Sequence, residues 1–168
     1  GNQMFQYGLY CFLKKNNQEV KADCTQYSTT PMNNGFELER LFNLDIAHAN
    51  LDVISKLTGG NRLSPRKVIW KLFRKPKVYF EEKVPFSFDP DVLKGNNRYL
   101  KGYWQNMNYL EPCAKELRDV FTFPAFSSDN NKRLADEIAK VEAVGVHFRR
   151  GDFLKSSNLG LFGGICSD

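Results

Sequence analysis

Long apolar runs are missing from this chain. Its longest falls far below the roughly 20 residues that a membrane span requires, and no basic start followed by an apolar core reads as a signal peptide. Cysteine and histidine are scarce. Cys11, Cys24, Cys113 and Cys166 stand apart without a Cys-x-x-Cys pair, and the histidines are His48 and His147. Such a supply argues against a zinc site. Scattered single cysteines fit a reducing cytoplasm, where they act as small core hydrophobes. Repeats and low-complexity tracts are also absent. What is there is 168 residues, 42% hydrophobic and 14% aromatic. That is enough for one domain with a real core, short for two, and too apolar for disorder.

The net charge is +5, which suits an anionic ligand without naming one. Much of the excess lies between 62 and 77, in Arg62, Arg66, Lys67, Lys71, Arg74, Lys75 and Lys77. Ile69, Trp70, Leu72 and Phe73 are interleaved, so this stretch reads as an amphipathic helix from about Pro65 to Arg74 with a basic face. A solvated face is the plain reading; peripheral contact with a membrane surface or an acidic partner is the sharper one. No nucleic-acid motif accompanies the charge, so no nucleic-acid partner is expected.

Along the chain, Met4–Lys15 reads as a helix with Phe5, Leu9, Phe12 and Leu13 on one side. Glu19–Tyr27 has strand character. Short helices are expected over Phe36–Phe42 and Ala49–Leu57, the second stopped by Gly59-Gly60. Strands are expected over Lys77–Glu82 and Arg98–Trp104, and helices over Leu110–Val120 and Asn130–Val141. A final strand, Val144–Phe148, runs straight into Arg149. This alternation predicts an α/β fold with a mainly parallel sheet. The chain opens on Gly1 rather than Met, and 159–168 ends without a cap or closing strand. The expectation is a fragment cut at both ends, its first strand missing.

Three segments carry chemistry. In His147-Phe148-Arg149-Arg150-Gly151-Asp152 an apolar strand ends in two arginines. Their planar donor forks match phosphate oxygens, and the carboxyl end of a strand is where open α/β sheets place ligands. Alternation puts His147 and Arg149 on one face and Arg150 on the other. Gly151 permits a sharp turn. A strand-end ion pair is the bland alternative. In Gly1-Asn2-Gln3, amides at a helix start can meet an anion or a sugar, or Asn2 can simply cap. Tyr103, Trp104 and Gln105 can line a sugar-binding wall, or the rings can belong to the core. Asp89-Pro90-Asp91 resembles a metal-binding aspartate pair, but its proline-broken loop reads better as the start of a helical turn.

Together these residues resemble the bacterial α-1,2-fucosyltransferases of glycosyltransferase family 11. The family's N-terminal Gly-Asn-Gln-Met-Phe-Gln-Tyr matches Gly1–Tyr7, with Gly8 in place of the usual alanine. Phe36–Phe42, Gly102-Tyr103-Trp104-Gln105 and the His-x-Arg-Arg-Gly-Asp signature at 147–152 follow in the family's order. The resemblance implies a Rossmann-like N-terminal domain of a GT-B-like glycosyltransferase over 1–142, incomplete at both ends. Residues 143–168 would begin the GDP-fucose-binding domain. It further implies inverting transfer from GDP-β-L-fucose to the 2-hydroxyl of a galactose-containing glycan acceptor. No metal or other cofactor is expected.

In that implied mechanism Arg149 stabilises the leaving β-phosphate, His147 lies beside the donor, and Asp152 is the candidate base. Asn2, Gln3, Arg150, Gly151, Tyr103, Trp104 and Gln105 bind substrates. The family also suggests O-antigen or capsule acceptors, hence a cytoplasmic enzyme, peripheral at the membrane's inner face. The 168 residues alone are expected to be inactive. Rival readings are a fucosyltransferase of another linkage, such as α-1,6, and a non-catalytic carbohydrate-binding or assembly module.

Overall fold

In the computed structural model, residues 1–16, 18–29, 35–42, 44–59 and 78–147 are described. The basic stretch 62–77 and the signature residues Phe148–Asp152 lie outside them. The first helix, α1, spans Asn2–Lys15. Leu9 and Leu13, four apart and so on one face, are buried with Gly8 and Tyr10. At its end Asn16 Nδ2 donates to Phe12 O at 2.8 Å. Lys15 Nζ reaches Pro112 O at 2.7 Å and Glu116 Oε1 at 2.8 Å, tying the helix end to the region after residue 110.

The expected strand over Glu19–Tyr27 is corrected. Ala22 makes a single parallel bridge to His48, and the chain then turns into α2, Thr25–Thr29. The cause is Asp23. Its Oδ1 accepts from Thr25 N at 2.9 Å and Thr25 Oγ1 at 2.6 Å, a local cap that competes with extended pairing. Two further helices follow, α3 at Leu38–Phe42 and α4 at Leu51–Thr58. Asn50 caps α4 through Val53 N at 2.9 Å, and Gly59 closes it with φ 83°.

Among the described residues, one sheet forms: β1, Tyr79–Glu81, pairs in parallel with β2, Tyr99–Lys101, in the register Tyr79 to Tyr99. The Tyr79 and Tyr99 rings stack at 5.6 Å. The link between the strands contains a 3-10 turn, Pro90–Leu93, which the Asp89 side chain caps. The helical-turn reading of Asp89-Pro90-Asp91 thus holds. Arg98 closes the turn, with Nη1 on Asp91 O and Nη2 on Val92 O, both at 2.7 Å. Two 3-10 turns, Met107–Tyr109 and Glu111–Cys113, then lead into α5, Ala114–Val120, where a single helix from Leu110 was expected. Pro112 in the second turn provides no backbone N–H for an α-helical bond. The core gathers Leu9 and Leu13 with Val92, Trp104 and Tyr109, and Val20, Phe80, Leu93 and Leu100 pack around it.

The chain divides into two compact units, Gly1–Phe123 and Pro124–Asp168. The boundary falls before the 142/143 division expected from the signature. In the second unit α6, Asp129–Ile138, is the one helix among the described residues. The strand expected from Val144 does not form over 144–147. These residues have no regular structure, and Val144 and Val146 are 88% and 71% exposed. A strand needs a neighbour for its backbone groups, and none of the described residues pairs with this segment.

Candidate functional site

The amide residues of the chain's first turn hold their surroundings together. Gln3 bonds to backbone at both ends of its amide: Nε2 donates to Gly35 O at 2.8 Å and Oε1 accepts from Glu37 N at 3.1 Å. It therefore fixes the turn that precedes α3. Gln6 Nε2 donates to Gly102 O at 2.9 Å. Asn2 and Gln105, far apart in sequence, meet: Gln105 Nε2 donates to Asn2 Oδ1 at 2.9 Å. Asn2 is not the cap of α1, since Gly1 holds that position. Its side chain is free to join the second candidate segment. No acidic residue lies in the first turn of α1, so the partial positive charge of the helix start is not offset there.

The aromatic pair divides. Tyr103 is 54% exposed, whereas Trp104 is 3% exposed and belongs to the core. The Trp104 ring meets Tyr109 edge-on at 6.1 Å and Phe80 at 6.4 Å. The core alternative therefore describes Trp104, and the sugar-wall expectation is corrected there. Tyr103 keeps an open ring. Glu82 produces this split. Its Oε2 accepts from Tyr103 N at 2.8 Å and Trp104 N at 3.4 Å. Gly102 must be a glycine for the grip to close, because a Cβ would lie 2.6 Å from Glu82 Cβ and 2.9 Å from Trp104 Cε2. Between the 82–90 segment and Trp104 is a cavity of about 190 Å³, also lined by Phe80, Phe88 and Tyr109.

Sequence reasoning missed Glu82, Gln6 and Asp23. Gln6 stood in the Gly1–Tyr7 match without a role, the Asp23-x-Thr25 spacing was the local signal of a cap, and Glu82 has no local mark because it acts on backbone groups about 20 residues on. Asp23 Oδ2 accepts from Tyr99 OH at 2.7 Å. Burial pushes the Asp23 carboxyl up, but the bonds from Thr25 and Tyr99 outweigh it and hold the group below the usual carboxylate range. Burial and the Asp23 carboxylate both raise the Tyr99 hydroxyl. The Cys24 thiol is pushed up to about 11 by burial, then by Glu39 and Asp23, and so stays protonated and inert at neutral pH.

In the second unit, His147 is exposed and without regular structure. Arg149, Arg150, Gly151 and Asp152 lie outside the described residues. Among the described residues no group of three or more His, Cys, Asp or Glu side chains gathers as a metal would need. Among the described residues no helix is long and apolar enough to cross a membrane.

No family model and no solved structure matches the chain. A curated protein does, and it is a sugar transferase. Over the whole of its length the chain is 30% identical, across 174 aligned positions, to the alpha-1,2-colitosyltransferase of Escherichia coli. The chain spans 57% of that protein's length.

Proposed function

We propose that this chain is part of an inverting nucleotide-sugar glycosyltransferase that makes an α-1,2 link. The similarity to the colitosyltransferase over the entire chain carries this reading. Its donor would be GDP-β-L-fucose or a close relative, and its acceptor the 2-hydroxyl of a galactose-type glycan. The signature at 147–152 supports a donor phosphate, and the Asn2–Gln105 amide pair beside the open Tyr103 ring supports a sugar. The parallel pairing of β1 and β2 is compatible with a Rossmann-like first domain of GT-B type. Cytoplasmic residence at the membrane's inner face, O-antigen-like acceptors and independence of metal belong to the same proposal.

In the proposed reaction the acceptor oxygen attacks C1 of the donor sugar from the face opposite the nucleotide. The C1–O bond to GDP breaks, the β-linked donor becomes an α-linked product, and the acceptor proton passes to a base, with Asp152 the candidate. GDP leaves with negative charge, which Arg149 stabilises beside His147. Arg150 braces, and Gly151 lets the backbone turn close to the phosphate.

Colitose is L-fucose without its 3-hydroxyl. The printed name of the relative therefore favours a second reading of the donor, GDP-colitose, with the same linkage chemistry. Competition between the two GDP-sugars separates them. Arg149→Ala in the intact protein is expected to lower turnover by orders of magnitude with the fold kept. Retention of more than about a tenth of wild-type turnover, a loss of only ~1.4 kcal/mol of transition-state stabilisation, contradicts the phosphate role.

A further inference from the structure

Among the described residues, three non-glycine residues have positive φ: Phe86 at 65°, Asn97 at 53° and Trp104 at 56°. Asparagine tolerates that backbone; bulky aromatics rarely adopt it and keep it only where their surroundings over-determine it. Asn106 bonds to both aromatic residues. Its Nδ2 donates to Phe86 O at 2.8 Å, its backbone N donates to Trp104 O at 2.9 Å, and its Oδ1 accepts from Asn108 N at 3.0 Å. Glu82 clasps the same loop through Tyr103 N and Trp104 N. The two segments, 84–88 and 102–106, are thus knitted together.

The knitting puts aromatic rings outside. Phe86 is 68% exposed and Tyr103 54% exposed, while Trp104 between the clasps is buried. Phe86 is thus both strained and exposed, Tyr103 is exposed next to the strained and buried Trp104, and strain held at a solvent-facing ring points to something for that ring to meet. We propose that Phe86 and Tyr103 form a platform for the acceptor glycan and that Asn106 is the positioning residue that holds it. A pyranose has an apolar C–H face for a ring and hydroxyls for amides. The amides follow at once in the chain, Gln105 and its partner Asn2. The proposal rests on reading the protein as a sugar transferase, and it names where that reaction's acceptor sits.

Three variants of the intact protein test it, with a β-galactoside oligosaccharide as probe. Phe86→Ala removes an exposed ring. Tyr103→Ala removes the other. Asn106→Asp keeps the oxygen that caps Asn108 and replaces the donor to Phe86 with a repelling oxygen. Each is expected to weaken oligosaccharide binding by calorimetry, and to raise the acceptor KM, about tenfold, or ~1.4 kcal/mol. The donor KM and kcat are expected to stay near wild type in all three, and the melting temperature in the Phe86 and Tyr103 variants, a split that a merely structural role would not give. Unchanged acceptor binding in the Phe86 and Tyr103 variants, with transfer intact, overturns the platform and leaves the proposed function standing. Galactoside binding that depends on these rings, without transfer of any GDP-sugar, keeps the platform and sinks the function. Wild-type protein that binds no galactoside but self-associates or floats with neutral vesicles through Phe86 also overturns the platform.

Discussion

The 102–106 loop and the 142–147 segment both approach a motif, yet they differ in what surrounds them. The loop is held from three sides: by Gln6 on Gly102 O, by Glu82 on two backbone N–H groups, and by Gln105 on Asn2. It buries Trp104 in the core. The 142–147 segment leads into the His147–Asp152 signature, with Val144 and Val146 open to solvent. A local motif can therefore announce chemistry while its geometry depends on partners elsewhere. The partners of the 102–106 loop fix its backbone strain as well as its side-chain placement, whereas among the described residues none pairs with 142–147, and its exposed Val144 and Val146 take no regular structure.

The contrast can be broken at several points. The largest stability effect belongs to Trp104→Ala, which empties a buried ring site and is expected to cost about 3–5 kcal/mol. Denaturant unfolding measures it, and a loss below about 1 kcal/mol, the ordinary size for a point mutant, contradicts the core placement. Tyr99→Phe is smaller. It removes the hydrogen bond to Asp23 and is expected to cost about 1 kcal/mol at neutral pH.

The same variant carries a pH signature. Asp23 has a lowered folded pKa, so it contributes stability above its unfolded value, near 3.9, that is lost as pH falls through the folded one. Tyr99 has a raised folded pKa, so its contribution is complete below its unfolded value, near 10, and lost as pH rises. Thermal melts across the pH range should show a shallower drop at both the acid and the alkaline end in Tyr99→Phe. Wild-type behaviour at both ends contradicts the pair. The smallest effect is expected at Val144→Ser, within about 0.5 kcal/mol, since that side chain is 88% exposed. A loss above about 1 kcal/mol would give the 142–147 segment a packed partner and dissolve the contrast.

Much of the helical frame was legible in the sequence. The Leu9–Leu13 spacing, Gly59 after Thr58 and Asp89 before the Pro90 turn are local signals, and local signals determine helix faces and ends, whereas the Asn50 cap moves the start of α4 two residues past the expected Ala49. The strand at Glu19–Tyr27 was misread because one carboxylate, Asp23, captures Thr25 and turns the chain. The candidate site was legible as a set of amides and aromatics, and Asn2 and Gln105 do meet. Its clasps were not. Glu82, Gln6 and Asn106 act across long separations on backbone groups, and composition and periodicity do not register such contacts. The split between Tyr103 and Trp104 follows from the same cause, for a left-handed backbone at Trp104 is a tertiary property.

The central claim is transfer of a sugar to a galactose 2-hydroxyl. The direct measurement incubates the intact protein with GDP-fucose or GDP-colitose and a β-galactoside in EDTA, with NMR assignment of the product linkage. The account predicts one GDP released for each α-1,2-linked sugar formed from at least one of the two donors. A product linked elsewhere, a β-anomer, or no transfer from either donor contradicts it.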